Sequence, residues 1–451
     1  MRGERVALFG LGGSGLSTAL ALAAGGADVV AWDDNPERVS DAQAEGIECA
    51  DLRGVGWDGF SSLILAPGVP LTHPMPHWTV ELATAHGVEV IGDVELFCHE
   101  RASLCPDAPF VAITGTNGKS TTTALIAHLL RELGRDVQMG GNIGVPILDL
   151  EPPAPGRVHV IECSSYQIDL APSLAPTVGV LLNVTPDHLD RHGTFERYAA
   201  IKERLVAHAS KRVIATDDET TRAIAARLDP VVTFAGTHGD ASYLTRSGFL
   251  DRIPIGGLAR LNDLPTLRGP HNIQNAAAAL LACMALGHPV REAEPALRTF
   301  PGLPHRMEML PTWRGITFVN DSKATNADAA APALGTFDRV RWISGGLAKD
   351  GGIEPLRPHF DRVEKAYLIG EAAPAFAATL GDAVPFEIAG TLDVAVRHAT
   401  EDALNAGGGA ILFAPAAASF DQFRNFERRG EAFRDAVATL IAEHDGKGAA
   451  A

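Results

Sequence analysis

Lys119 closes a loop in the run Ala112-Ile-Thr-Gly-Thr-Asn-Gly-Lys-Ser-Thr-Thr122, whose residue types suit a nucleoside triphosphate. The apolar stretch Pro109 to Ile113 reads as a buried strand, Gly115-Thr116-Asn117-Gly118 as a tight loop, and Ser120 to Leu133 as a helix. A strand feeding a glycine loop into a helix N-terminus gathers backbone N–H donors and the positive end of the helix dipole at one point. Lys119 adds charge for the terminal phosphates, and Ser120 or Thr121 offers a hydroxyl to Mg²⁺. The run departs from the usual P-loop spacing, because Ile113 stands where that pattern has its first glycine. Glu162, at the end of the apolar run Val158 to Cys163, could ligate Mg²⁺ beside the phosphates, since ligands in open α/β sheets bind beyond the carboxyl ends of strands. His188 lies in Leu181-Leu-Asn-Val-Thr-Pro-Asp-His-Leu-Asp-Arg-His192, which packs acids and imidazoles after a third apolar run, and is a candidate second metal ligand. Lys202, in Tyr198-Ala-Ala-Ile-Lys-Glu-Arg-Leu205, reads by pattern alone as a surface lysine paired with a nearby glutamate on an amphipathic helix.

Two other constellations carry polar chemistry. Gly10, Gly12 and Gly15 form G-x-G-x-x-G after the strand Arg5 to Phe9, with Asp33 ending the next strand. Taken alone this is a dinucleotide fingerprint and keeps an NAD-dependent dehydrogenase open. In the last third, Leu303-Pro-His-Arg-Met-Glu308 precedes Asn320-Asp-Ser-Lys-Ala-Thr-Asn326, a strand-end loop suited to a ribose and an anionic substrate. Lys323, Lys349 and Ser419 all follow strands and together suit a small dicarboxylate, each carboxylate needing a charged or N–H partner. Ser419 could also simply cap the helical run Asp421 to Ile441.

The elements that position these residues alternate along the whole chain. At 451 residues the protein should form two or three domains. Apolar strands (among them Asp28–Trp32, Ser62–Ala66, Val178–Asn183, Val213–Thr216, Ile316–Asn320, Val340–Ser344, Ala366–Ile369 and Ala410–Ala414) alternate with helical runs such as Leu16–Ala24 and Leu392–Asn405. That alternation predicts an α/β protein with mostly parallel sheets in three consecutive domains, at 1–97, 98–302 and 303–451. The first and last read as Rossmann-like and the central one as a P-loop-type ATPase domain. A net charge of −17 disfavours nucleic acid and anionic membranes as partners. Five scattered cysteines without a Cys-x-x-Cys pair indicate neither disulfides nor zinc, so a reducing cytoplasm is expected. No signal peptide is apparent, Ala276 to Leu286 is too short to span a bilayer and reads as a buried helix, and the tail from His444 to Ala451 reads as disordered.

With these residues assembled, nearly the whole chain resembles the Mur ligase family, which includes folylpolyglutamate synthases. Thr114-Gly-Thr-Asn-Gly-Lys-Ser-Thr121 carries the family resemblance. Gly10-Leu-Gly-Gly-Ser-Gly-Leu-Ser17, Gly140-Gly-Asn-Ile-Gly144, Leu303-Pro-His-Arg306, Asn320 to Asn326 and Ser419-Phe-Asp-Gln-Phe-Arg-Asn-Phe-Glu-Arg-Arg-Gly430 point to its D-glutamate-adding branch. The resemblance implies an ATP- and Mg²⁺-dependent ligase joining D-glutamate to UDP-N-acetylmuramoyl-L-alanine, working as a cytoplasmic monomer. It implies that the first glycine loop, with Gly13 and Ser14, holds the UDP diphosphate and not NAD. Asn142 and His188 would contact the UDP-sugar or its metal, and Ser120, Glu162 and His188 would serve Mg²⁺. Gly115, Thr116, Asn117, Gly118, Lys119, Ser120 and Thr121, with Asn272, His305, Arg306 and Asp321, would serve ATP. Lys323, Thr325, Lys349, Ser419, Phe420 and Phe426 would hold D-glutamate, and Lys202 would be carbamylated, against its reading as a surface lysine. Gly13 and Asn35 depart from the bulkier or basic residues that relatives often carry near the uridine, and the loop after Gly346 departs at Leu347-Ala-Lys349. A nucleotide-binding scaffold remains the non-enzymatic alternative, and the other amino-acid-adding ligases of the family remain enzymatic ones.

Overall fold

The computed structural model describes residues 1–235, 242–245, 250–252, 266–267, 270–349 and 351–448. Three sheets carry the architecture. The first consists of β1 (Arg5–Phe9), β2 (Asp28–Trp32), β3 (Glu48–Cys49), β4 (Phe60–Leu65) and β5 (Glu89–Ile91), in the order β3-β2-β1-β4-β5. The second holds β6 (Phe110–Thr114), β7 (Val137–Gly141), β8 (Val158–Glu162), β9 (Val178–Leu181), β10 (Lys211–Ala215), β11 (Val232–Ala235), β12 (Ser242–Thr245) and β13 (Leu250–Arg252). Its order is β13-β12-β11-β10-β9-β6-β8-β7. The third holds β14 (Glu308–Met309), β15 (Ile316–Asn320), β16 (Val340–Gly345), β17 (Val363–Ile369), β18 (Phe386–Gly390) and β19 (Gly409–Phe413), in the order β14-β15-β19-β16-β17-β18. Pairing is parallel except at β11–β12, β12–β13 and β14–β15.

The composition of the central strands explains the layers. β6 is buried at all five positions and β16 at all six, so each must be covered by helices on both faces. Helix Lys119–Glu132 covers β6 and β8 with Leu125, Ile126 and Leu129, all at 0% exposure. The described residues fall into two compact units, one within Met1–Gly256 and Ile273–Thr299 and the other within Gly257–Asn272 and Phe300–Ala451. The first unit contains the first and second sheets, and the second unit contains the third. Helix Pro270–Ala285 buries Ala276 to Cys283 completely, as its composition suggests. Among the described residues no single helix is long and apolar enough to cross a membrane.

Two expectations about the last helix are corrected. It runs from Phe426 to Gly448 and not from Asp421, so Ser419 is not its cap. Asn425 takes that role, its side-chain oxygen accepting from the Arg428 N–H at 2.8 Å. The tail from His444 is also not disordered as far as Gly448, while residues 449–451 lie outside the described residues. The Trp313 indole donates to Asp445 at 3.2 Å and its ring lies 5.4 Å from that of His444, which holds the final turns down.

Candidate active site

At the centre of the second sheet, β6 lies between β8 and β9, with Ile113 beside Glu162 and Thr114 beside Leu181. Three strands therefore deliver the 115–118 loop, Glu162 and the 182–188 loop to one carboxyl edge. The phosphate loop is held from the side by Asn183. Its backbone carbonyl accepts from the Thr116 N–H at 2.9 Å, and its side-chain oxygen accepts from the Asn117 N–H at 2.8 Å. The Thr116 hydroxyl donates to the Thr185 carbonyl and sits 3.0 Å from the Tyr198 hydroxyl. Gly118 ends the loop in the left-handed region at φ 85°, where a Cβ would come within 2.5 Å of the Asn275 side-chain oxygen. Ser120 and Thr121 follow in the first helical turn, both buried, among N–H groups that have no partner within the helix.

Two lysines cross this loop. Lys119 Nζ donates to the Gly115 and Thr116 carbonyls at 3.0 and 2.8 Å. Lys202, on helix Phe195–Ala207, is 1% exposed and donates to the same Gly115 carbonyl at 2.9 Å, with Thr114 Oγ1 at 3.4 Å. The reading of Lys202 as a surface lysine is therefore wrong. The polar face of its helix is turned inward at this one position, where the ammonium sits 4.7 Å from the Tyr198 ring centre. Burial pushes its pKa well below the usual lysine value and Lys119 pushes the same way, while Asp187, Glu162 and Cys163 pull it back.

Glu162 has the environment of a cation ligand. One carboxylate oxygen accepts from Asn142 Nδ2 at 2.8 Å, and the other is buried with no hydrogen-bond donor. Leaving a buried carboxylate oxygen unmatched is costly, and a hard cation would satisfy it. His188, at φ 54°, is half-exposed, with Nε2 3.4 Å from Asp187 and its ring 5.1 Å from Tyr166. No group of three or more His, Cys, Asp or Glu side chains forms a metal cage among the described residues. The buried, unmatched Glu162 oxygen fits Mg²⁺, which takes few protein ligands and completes its shell with phosphate oxygens and water.

In the first sheet, Gly13 is the N-cap of helix Ser14–Ala24 at φ 50°, and a Cβ there would meet nothing within 4 Å. The loop is open above Gly13 and Ser14. Asp33, the acid that a dehydrogenase would offer to a ribose, is instead buried and occupied. It accepts from the Leu11 N–H at 2.7 Å and the Asn35 N–H at 2.8 Å, with Arg38 at 3.4 Å.

The third sheet gathers most of the remaining candidates. Asp321, just past β15, accepts from the Met307 N–H at 3.0 Å, and burial lifts its pKa to about 6, with Arg306 and that N–H opposing. Nε of Arg306 is buried without a partner. His305, at φ 61°, has Nδ1 3.0 Å from the Asn320 amide, and burial lowers its pKa. Asn272 is buried, 4% exposed, on helix Pro270–Ala285. Lys323 lies 3.9 Å from the ring centre of Phe426, and the Thr325 N–H donates to the Lys323 carbonyl. Ser419 is buried, whereas Phe420 is 71% exposed and Lys349 is exposed on the loop after β16. That loop meets the Ser419 segment through paired Leu347 and Ala418 backbone bonds of 2.9 Å, and the Lys349 side chain is exposed.

Residues 113–283 match the family description of the Mur ligase middle domain. Over its length the chain is 59% identical to the UDP-N-acetylmuramoylalanine–D-glutamate ligase of Rhizobium meliloti, covering 97% of both chains. It is 57% identical to the ligase of the same name from Agrobacterium fabrum, covering 99% of this chain and 98% of the relative.

The chain belongs to the Mur ligase family.

Solved structures of other Mur ligases share the fold: the UDP-N-acetylmuramate-alanine ligase MurC of Thermotoga maritima superposes with a TM-score of 0.59 at 18% identity, covering 97% of this chain and 99% of that one. A pseudomurein peptide ligase type C from Methanothermus fervidus gives 0.55 at 18% identity over 97% of this chain and 100% of the other. Within this Mur ligase fold, three organising residues escape a reading of the sequence. Asn183 and Tyr198 hold the phosphate loop but sit in an apolar strand exit and a helix face that look structural. Arg429, one of two adjacent arginines, looks like a surface charge yet is 1% exposed. It donates to the Ser322 carbonyl and hydroxyl and to the Ala417 and Ala418 carbonyls, joining the Lys323 loop to the Ser419 loop.

Proposed function

We propose that this chain joins D-glutamate to UDP-N-acetylmuramoyl-L-alanine, converting ATP to ADP and phosphate through an acyl phosphate. The alanyl carboxylate oxygen attacks the γ-phosphorus as the bond to ADP breaks. The D-glutamate amine then attacks the acyl carbon, loses a proton, and phosphate leaves. The observation that carries the substrate assignment is 57–59% identity over nearly the full length to ligases bearing that name. The buried, donor-less oxygen of Glu162 beside the phosphate loop supports a metal-bound nucleotide in the same reading.

The roles follow from what each side chain offers. Gly115 to Thr121 wrap the phosphates with N–H donors, and Lys119 neutralises charge on the transferring group. Asn272, His305, Arg306 and Asp321 contact the rest of ATP. Gly13, Ser14 and Asn142 bind the UDP-sugar, and Lys323, Thr325, Ser419 and Phe426 hold D-glutamate, with Lys349 and Phe420 at its exposed rim. Glu162, His188, Ser120 and Lys202 would hold Mg²⁺, which when bound offsets phosphate charge. The depressed pKa of Lys202 favours the neutral amine, the form that attacks CO₂ to give a carbamate and a proton. That product is an anionic oxygen donor suited to a hard cation. We assign the UDP-sugar, ATP and amino-acid portions to 1–97, 98–302 and 303–451, in a cytoplasmic monomer with no nucleic-acid or membrane partner. Sedimentation as one species near 47.4 kDa is the expected result.

The test is ADP release with UDP-N-acetylmuramoyl-L-alanine and a panel of amino acids. Turnover with D-glutamate, and none with L-glutamate, L-lysine or meso-diaminopimelate, is expected. Efficient ligation of another amino acid, with D-glutamate inert, would overturn the assignment.

A further inference from the structure

Arg191 lies on the short helix Leu189–His192, beyond β9 of the second sheet, yet its guanidinium is spent on the first sheet. Nη1 donates to the Gly68 carbonyl at 2.7 Å, and Nη2 donates to the Val69 carbonyl at 2.9 Å, with that of Pro67 at 3.5 Å. Residues 67–69 leave the carboxyl end of β4. In the order β3-β2-β1-β4-β5 the direction of winding reverses between β1 and β4, so this loop and the Gly10–Gly15 loop flank the crevice where such a sheet binds its ligand.

The same residue reaches toward His188. The Arg191 N–H donates to the His188 carbonyl at 3.0 Å, within the turn that keeps His188 at φ 54°. The guanidinium carbon lies 4.7 Å from the Tyr166 ring centre, and that ring lies 5.1 Å from His188 and 5.3 Å from His192. A planar fork can serve several carbonyls and stack on an aromatic ring at once, which an ammonium cannot do.

We propose that Arg191 is a positioning residue that fixes the distance between the β4 loop and His188. It would thereby hold the two ends of one extended substrate, a sugar nucleotide carrying an acyl group, at a set separation. This inference rests on the functional reading above, which puts the UDP end on the first sheet, and on the resemblance, by which His188 would contact the UDP-sugar or its metal.

The experiment compares Arg191→Ala and Arg191→Lys with the wild-type enzyme under steady-state conditions, each substrate varied in turn. KM for UDP-N-acetylmuramoyl-L-alanine should rise about tenfold or more in both variants, while KM for ATP stays within about twofold. Millimolar guanidinium should recover part of the lost affinity in Arg191→Ala and none in Arg191→Lys, where the lysine fills the space. A merely structural arginine would alter both KM values together or neither, and either result overturns the proposal. If Arg191→Ala does not fold, Arg191→Lys carries the same split by itself. A wild-type enzyme that fails to bind UDP-N-acetylmuramoyl-L-alanine would instead overturn the functional reading, and this inference with it.

Discussion

A lysine amine buried between the phosphate loop and the Tyr198 ring has a physical reason to lose its proton, and Lys119, donating to the same carbonyl, adds to it. If Lys202 works as a carbamate, Lys202→Ala should be nearly inactive, and formate or acetate should restore part of the rate by occupying the vacated anion position. Full activity of Lys202→Ala without added carboxylate would sink that idea. Asp321 makes a pH-dependent case. Its folded pKa, about 6, lies above the ordinary 3.8, so the buried acid is favoured in its neutral form. The stability linked to that neutral form is fully present below pH 3.8 and is lost as pH rises through about 6. Asp321→Asn, which keeps an oxygen for the Met307 N–H, should therefore be more stable than wild type at pH 8, by up to about 3 kcal/mol, and level with it at pH 3.5. Urea unfolding at the two pH values measures this, and an equal difference at both would contradict it.

The phosphate loop depends on one backbone conformation at the junction of strand and helix. Gly118 at φ 85° lets Asn275 close on the loop, where Asn275 also accepts from the Thr122 hydroxyl at 3.1 Å. Gly118→Ala would place a Cβ 2.5 Å from the Asn275 side-chain oxygen and 3.3 Å from Leu182, in a region that costs an L-residue about 1–2 kcal/mol. The helix behind the loop is fully packed, so the strain should be relieved by movement of the loop and not by unfolding. KM for ATP is expected to rise about tenfold or more, with a melting point only a few degrees lower. Unchanged ATP kinetics would show that the loop tolerates the shift and that its N–H donors are not held by this turn.

The two compact units each have their own apolar core, a condition for unfolding in separate steps. Calorimetry should resolve two transitions. UDP-N-acetylmuramoyl-L-alanine at a hundred times its Kd should stabilise the unit holding the first and second sheets by about 2.7 kcal/mol. Phe376→Ala, which empties a site of 0% exposure in the third-sheet core, should lower the other transition by about 3–5 kcal/mol. One transition moved by both perturbations would mean that the units unfold as a single body.

What could be read from the chain alone was what depends on neighbours in sequence. Phe110 to Thr114, Gly115 to Gly118 and the helix after Lys119 are contiguous, so their period, glycine spacing and charge declare a phosphate loop without knowledge of anything else. The strand-end position of Glu162 was legible for the same reason, because an apolar run that stops at an acid marks the edge of a sheet. Contacts between distant segments were not legible. Lys202 and Arg429 carry charges on helices whose patterns put them in water, and only the packing of those helices over 88 and 107 residues of separation turned them inward. Burial then set their chemistry, since a guanidinium removed from water must find carbonyl acceptors, and an ammonium must do so or give up its proton. Period and composition report which face of an element is apolar, but the few polar side chains that face inward are chosen by partners elsewhere in the chain, and that choice exists only in the folded protein.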